Sequence, residues 1–300
     1  MLLEEEGMKA ISFPTFIRVI CLLGAFGLAV LFLPKISFFP RSAYGPVLHE
    51  EVSGFSSIRV RGTDSKRHLL FVSERGKEQL QSSIDLQEPQ VLQVAYTRSL
   101  FVSFLFKNPQ ERILIVGLGG GGMIRFFHHQ FPNSIVEVVE IDPAVVRVAK
   151  EYFETDEKKG IKIHTADAFE FLKRDLQAYD VIYMDAFLRP SVDRELGGKT
   201  ARLKTVEFLK EIRDQLEPDG VLACNLIRHR PATAGDIAAL REVFPTVRVF
   251  NVPGTGNMAV MACKKEINLS RNQLISRGED LEAETVTGLP LGEFAASLEE

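Results

Sequence analysis

The sequence predicts an α/β fold: a doubly wound sheet closed by an antiparallel C-terminal hairpin, with a small β-domain ahead of it. Three observations predict this. Five apolar strand-like segments alternate with helical segments between residues 112 and 243, and such alternation builds a parallel sheet with helices on both faces. The first strand runs into a glycine turn, Gly117-Leu-Gly-Gly-Gly-Gly122. Two further apolar segments, Val247–Val252 and Ala259–Cys263, are joined by Pro253-Gly-Thr-Gly-Asn257. That loop is too short for a crossover helix, so the pair is antiparallel.

Residues 1–15 are a mixed N-terminal tail. From Phe16 to Leu33 the chain is apolar except at Arg18. Eighteen helical residues at about 1.5 Å each approach the roughly 30 Å of a hydrocarbon core. Residues 16–34 therefore read as a transmembrane helix and the chain as a single-pass membrane protein. A cleaved signal peptide beginning at Met8 and a buried helix are the alternatives, and no small-x-small cleavage site precedes Tyr44. Lys9, Arg18, Lys35 and Arg41 flank the run too evenly to fix an orientation. A domain using a cytosolic nucleoside must face the cytoplasm.

Residues 35–50, rich in Pro, Ser and aromatics, read as a linker. Residues 51–90 read as a small β-domain. Ser57–Val72 alternates around Gly62-Thr-Asp-Ser65 as a hairpin, and a third strand is expected near Gln79–Ser83. Val91–Phe106 has helical spacing and opens the main domain, residues 91–264. Its strands are expected at 112–117, 135–141, 161–165, 180–185 and 219–226, and its helices at 122–131, 143–154, 167–176, 204–216 and 233–243. Residues 265–300 are polar and acidic and read as a short helix and a mobile tail.

Composition narrows the function. The 300 residues are 45% hydrophobic and 25% charged with a formal net charge of −4, which suits one large globular domain with a small appendage. There is no basic excess and no aromatic-basic alternation, which argues against nucleic acid as a partner. Cys21, Cys224 and Cys263 show neither metal-ligand nor disulfide spacing, so a reducing compartment is the default. No metal site is expected. His128 and His129 sit on an amphipathic helix as surface residues, and Arg228-His-Arg230 reads as solvated loop charge at the ligand edge of the sheet.

The strand, glycine turn, helix and second strand from Arg112 to Asp142 build a nucleoside-binding unit. Gly117, Gly119 and Gly122 fit G-x-G-x-x-G, and Glu140 ends the second strand, where it can accept from ribose hydroxyls. A closing antiparallel hairpin is the pattern of S-adenosylmethionine-dependent methyltransferases, not of an all-parallel dinucleotide-binding sheet. Asp142 and Asp167 also fit helix N-caps, and one carboxylate can both cap and bind.

From about Ser56 to Cys263 the chain resembles the spermidine synthase (polyamine aminopropyltransferase) family, in its membrane-associated branch. The resemblance lies in Gln81-Ser-Ser-Ile-Asp85, Tyr96-Thr-Arg98, Ile113 to Arg125, Val138-Val-Glu-Ile-Asp-Pro143, Ala166-Asp-Ala-Phe-Glu-Phe171, Tyr179-Asp-Val-Ile-Tyr-Met-Asp185 and Leu216-Glu-Pro-Asp-Gly220. It implies a donor site made by Gly117, Gly119, Gly120, Gly122, Glu140 on the ribose, Asp167 with the Ala168 backbone on the adenine, and Gln81 near the donor tail. It implies Asp185 as the proton-accepting catalytic residue, and an acceptor pocket flanked by Tyr96 and by position 188. The implied co-substrate is decarboxylated S-adenosylmethionine and the implied partner a small amine; a homodimer is compatible with it.

Departures from the family bear on the reaction. Gly120 and Leu188 stand where the family carries two Asp residues that hold cationic groups, and Ser56 and Thr97 replace two polar contacts. Each charge-assisted bond is worth about 1.5–3 kcal/mol, so losing two weakens a diamine by about 10²-fold or more. An absent carboxylate at Gly120 also eases binding of intact S-adenosylmethionine, with Arg98 or Arg125 as candidates to pair with its carboxylate. The expected function is a transferase using an S-adenosylmethionine-type donor: aminopropyl transfer as the family implies, methyl transfer as the alternative. A non-catalytic membrane-bound nucleoside sensor is the alternative of another class. An NAD-dependent dehydrogenase fits the hairpin and Asp167 poorly.

Overall fold

A computed structural model describes residues 42–174, 177–186, 205–285 and 287–299. The chain divides at Tyr44, and the unit from Tyr44 onward carries every element named below. The run expected at 16–34 to cross a membrane lies outside the described residues. Among the described residues no helix is long and apolar enough to do so.

The small N-terminal sheet is a four-stranded antiparallel meander of β1 (Val47–Val52), β2 (Ser57–Gly62), β3 (Lys66–Val72) and β4 (Glu78–Asp85). β1 corrects the expected linker at 35–50. Its alternation faces outward, with Val47, Leu48 and Val52 exposed, so it carries no core signature. α1 (Ala95–Leu100) and a 3-10 turn (Phe101–Leu105) then lead into the main sheet.

That sheet has seven strands in the order β10-β11-β9-β8-β5-β6-β7. They are β5 (Arg112–Val116), β6 (Ile135–Glu140), β7 (Ile161–Thr165), β8 (Tyr179–Met184), β9 (Leu216–Ile227), β10 (Thr246–Asn251) and β11 (Asn257–Cys263). β5 to β9 are mutually parallel. β10 pairs with β11, and β11 with β9, antiparallel. The intervening helices are α2 (Gly122–Gln130), α3 (Pro143–Tyr152), α4 (Ala168–Leu172), α5 (Val206–Asp214) and α6 (Thr233–Val243). The result is an α/β, methyltransferase-like fold with a mixed sheet.

Central strands buried on both faces must be apolar on both. One face packs Phe101, Phe127, Tyr183 and Phe250, and the other packs Phe171, Tyr179, Phe208 and Val260. Chain order reverses at β5, with β6 and β7 on one side and β8 and β9 on the other. In open α/β sheets that switch point, at the carboxyl ends of the strands, is where ligands bind.

The C-terminal segment corrects the expected tail. α7 (Arg271–Glu284) and α8 (Leu291–Ala296) are helices that place Leu274, Leu281, Leu291, Phe294 and Leu298 in the core. Backbone bonds from Asn251 to Ser297 (3.0 Å) and from Glu299 to Val249 (2.8 Å) cover the outer edge of β10. An unpaired edge invites pairing with other chains, and this segment removes it.

The two helices meet at Gly278, where an added Cβ would lie 2.5 Å from the Gly292 nitrogen and 2.7 Å from the Leu291 carbonyl carbon. Both are backbone atoms and cannot swing aside. Gly278→Ala is expected to cost about 1–3 kcal/mol, read as a lower urea midpoint at an unchanged slope.

Candidate active site

The carboxyl ends of β5, β6, β7 and β8 open into a cavity of about 540 Å³, roofed by β2 to β4 of the small sheet. That volume lies within the roughly 300–1,000 Å³ of small-molecule sites.

Gly117 fixes its floor. Its φ is +99°, and a Cβ there would lie 2.7 Å from the Asp185 carbonyl oxygen. Glycine is needed twice over, for the left-handed backbone and for the close approach of β5 and β8. Gly119 comes next at φ +52°, and Gly121, at φ +69°, precedes α2. Gly117, Gly119 and Gly122 line the cavity, but Gly120 does not. Ser82 Oγ and Phe153 Cδ1 would each lie 2.8 Å from a Cβ at Gly120, so a side chain there requires Ser82 and Phe153 to shift. The Gly120 carbonyl instead accepts from Arg125 and from Thr155 Oγ1.

Arg125 is not an exposed residue and not a partner for the donor's carboxylate. It is buried, donating to the carbonyls of Pro89, Gly120 and Phe153 and to Thr155 Oγ1. Burial pulls its guanidinium down to about 10. Arg98, the other candidate, is exposed on α1 and does not line the cavity.

Glu140 ends β6 with its side chain buried in the cavity wall. Oε2 accepts from the Leu118 N–H and Oε1 from the Asp142 N–H, both at 2.9 Å. Burial pushes its carboxyl up, and those two N–H groups hold it down. The carboxylate retains further lone pairs for hydroxyl donors.

Asp142 caps α3 through the Ala144 N–H (2.9 Å) and accepts the Ser53 and Ser56 hydroxyls on Oδ2 at 2.6 Å each. It thereby ties the loop between β1 and β2 to the end of β6. Asp167 caps α4 through the Phe169 N–H (3.0 Å), and Asp167 and Ala168 both line the cavity. Gln81 lines it from β4, its amide donating to the Gln79 carbonyl.

Asp185, just past β8, is half-buried in the wall of the same cavity, and loss of solvent around its carboxyl pushes it up to about 7. Hydrogen bonds from Asn225 (Nδ2 to Oδ1, 2.9 Å) and Tyr96 oppose that rise. The Tyr96 hydroxyl stands between the Gln81 carbonyl (3.0 Å) and Asp185. Burial and the Asp185 charge push the phenol well above its usual value. Leu188 lies outside the described residues.

Sequence reasoning missed Asn225 and Asn257. Asn225 is a polar residue buried in the apolar run of β9, and that interruption was the available signal. Asn257 lines the cavity beside Ile227, Arg230 and Thr255. His128 and His129 are exposed on α2, and no cluster of three metal-ligating side chains occurs among the described residues.

Comparison with known proteins places this geometry. Residues 93–269 match the spermine/spermidine synthase domain. A polyamine aminopropyltransferase of Vibrio vulnificus is 32% identical over 222 residues, covering 72% of this chain and 71% of its own length. The eEF1A lysine and N-terminal methyltransferase of Bos taurus is 32% identical over 194 residues, 59% of this chain but 27% of that larger protein. The crystal structure of a probable spermidine synthase from Corynebacterium glutamicum superposes with a TM-score of 0.62 at 23% identity, covering 84% of this chain and 94% of its own, a likeness of fold. With the matched domain spanning the glycine turn, Glu140, Asp167 and Asp185 in one stretch, the chain belongs to the spermine/spermidine synthase family.

Proposed function

We propose that this protein is a transferase that moves an alkyl group from an S-adenosyl donor to an amine, aminopropyl being the group its family implies. One observation carries the reading: Asp185, its carboxyl pushed up to about 7, shares a cavity with a glycine turn and a strand-end carboxylate, Glu140. The donor supplies a sulfonium whose adjacent carbon is electrophilic. Glu140 accepts from the ribose hydroxyls, Gly117 and Gly119 leave space for the backbone to approach, and Asp167 with the Ala168 N–H meets the adenine. Tyr96 flanks the acceptor, as position 188 does in the family.

The amine nitrogen bonds to the carbon beside the sulfonium as that C–S bond breaks, the electron pair leaving on the neutral thioether, and the nitrogen must lose a proton. Asp185 accepts it, and a base with a pKa near the working pH is the most effective. The low-dielectric wall that raises this pKa also strengthens the attraction between the ionised carboxylate and the sulfonium.

Methyl transfer is the second reading, and Gly120 favours it. Ser82 and Phe153 occupy the space that a tail-binding carboxylate needs, so nothing at that position repels the carboxylate of intact S-adenosylmethionine. The methyltransferase relative is named for lysine and an N-terminus, which are again amines. We also propose that the apolar stretch Val19–Leu33 tethers the catalytic domain to a membrane, on the cytoplasmic face where the donor is.

The pH profile, a single substitution and donor binding test these statements. kcat/KM is expected to rise with pH around a midpoint near 7, with the kcat limb at lower pH because a bound cation favours the ionised carboxylate. Asp185→Asn is expected to lower kcat by about 10²-fold or more while leaving donor affinity within a few-fold; unchanged turnover overturns the role. The same shift has a stability consequence. Folded Asp185 holds its proton up to about 7 against 3.8 unfolded, so its contribution falls as pH climbs through that window, and Asp185→Asn should unfold at higher temperature than the parent at pH 8. Calorimetry with both donors decides the group transferred: a tenfold preference for the decarboxylated form selects aminopropyl, and equal or tighter binding of the intact form selects methyl. Alkaline carbonate should leave the full chain in the membrane pellet; release into the supernatant overturns the tether.

A further inference from the structure

We propose that Asn257 and Asn225 are positioning residues for Asp185, with Asn257 fixing the orientation of the Asn225 amide so that its N–H, not its carbonyl, faces the carboxylate. The inference rests on the reading of Asp185 as the proton acceptor.

Two hydrogen bonds run in one direction. Asn257 Nδ2 donates to Asn225 Oδ1 at 2.9 Å, and Asn225 Nδ2 donates to Asp185 Oδ1 at 2.9 Å. An amide has one end that donates and one that accepts, whereas an ionised carboxylate only accepts. With its oxygen committed to Asn257, Asn225 has its donor end left for Asp185. The register holds the three residues in line. β9 lies between β8 and β11, and Asn225 is the residue after Cys224, the partner of Met184, while Asn257 pairs with Ile227. Asn225 is 4% exposed, so it cannot exchange this arrangement for water, and an unmatched amide there would be costly.

Other ionisable groups share the cavity: Tyr96 from α1, Glu140 at the end of β6, Asp142 just beyond it, Asp167 beyond β7 and Arg230 beyond β9. Of these, Tyr96 bonds Asp185 directly. Neither asparagine carries a charge, so removing Asn257 changes hydrogen-bond direction without changing net charge.

The test titrates Asp185 directly. Carbon-13-labelled aspartate carboxyl resonances are followed against pH in the full chain, and the Asp185 signal is assigned by its loss in Asp185→Asn. Asn257→Ala frees Asn225 to turn its carbonyl toward Asp185, which favours the protonated acid. The midpoint is expected to rise by about half a unit to one unit. Asn257→Asp is nearly isosteric; its carboxylate only accepts, forces the reversed direction and adds a negative charge, so the rise is expected to be larger. Donor calorimetry within threefold of the parent certifies folding, and should Asn257→Ala fail that check the isosteric variant carries the test. Midpoints unmoved in the folded variants overturn the inference. Midpoints that rise, in an enzyme whose turnover is indifferent to Asp185→Asn, leave the positioning intact and overturn the catalytic reading instead.

Discussion

The ends of β5 and β8 meet so closely that no side chain fits between Gly117 and the Asp185 carbonyl. The rest of the site depends on that contact. β5 is the strand at which chain order reverses, so the backbone leaving it must turn sharply to clear the crevice. The backbone bonds from Gly117 to Val139 and from Asp185 to Val116, both 2.9 Å, carry the ladder to the rim. Glu140 on one neighbour and Asp185 on the other are thereby delivered to opposite sides of one turn. Their environments then part. Glu140 is held by two backbone N–H groups, whereas Asp185 has side-chain partners and stays close to neutral pH in its titration. Burial raises both; what differs is the kind of donor, rigid backbone N–H groups on one carboxylate and side chains on the other.

The small sheet joins the site through polar contacts of unusual economy. Asp142 caps α3 and also takes two serine hydroxyls from the loop after β1. The same residue's N–H holds Glu140. One carboxylate therefore links the roof of the cavity, a helix start and the end of β6 that carries Glu140. Ser82, from the same sheet, fills the volume beside Gly120. The roof thus shapes the glycine turn as well as covering it.

The five parallel strands were legible because burial on both faces writes them as continuous apolar runs, as in Ile113–Val116 and Val181–Met184. Glu140, Asp167 and Asp185 were legible as carboxylates at strand ends, where the chain must be polar only if something is bound or capped. Arg125 was not legible. Its burial depends on carbonyls from Pro89, Gly120 and Phe153, which converge only in three dimensions. The filled space at Gly120 is equally nonlocal, since Ser82 and Phe153 lie on separate elements. The C-terminal residues were read as a short helix and a mobile tail because few apolar residues in α7 stand against its many charged ones. Leu274 and Leu281 sit seven apart on one face, a stripe too thin to outweigh the acidic background.

That C-terminal pair has a kinetic consequence. Leu291, Phe294 and Leu298 complete the same apolar cluster as Phe101, Phe104 and Leu105, so the first and last parts of the main domain close one core together. Contacts between such distant stretches require a large loop to be ordered before they stabilise anything, which slows folding. Until the final helices arrive, the outer edge of β10 and the part of that cluster around Phe101 and Phe104 stay uncovered. During that interval the open edge and the apolar residues beside it are exposed to association with other chains.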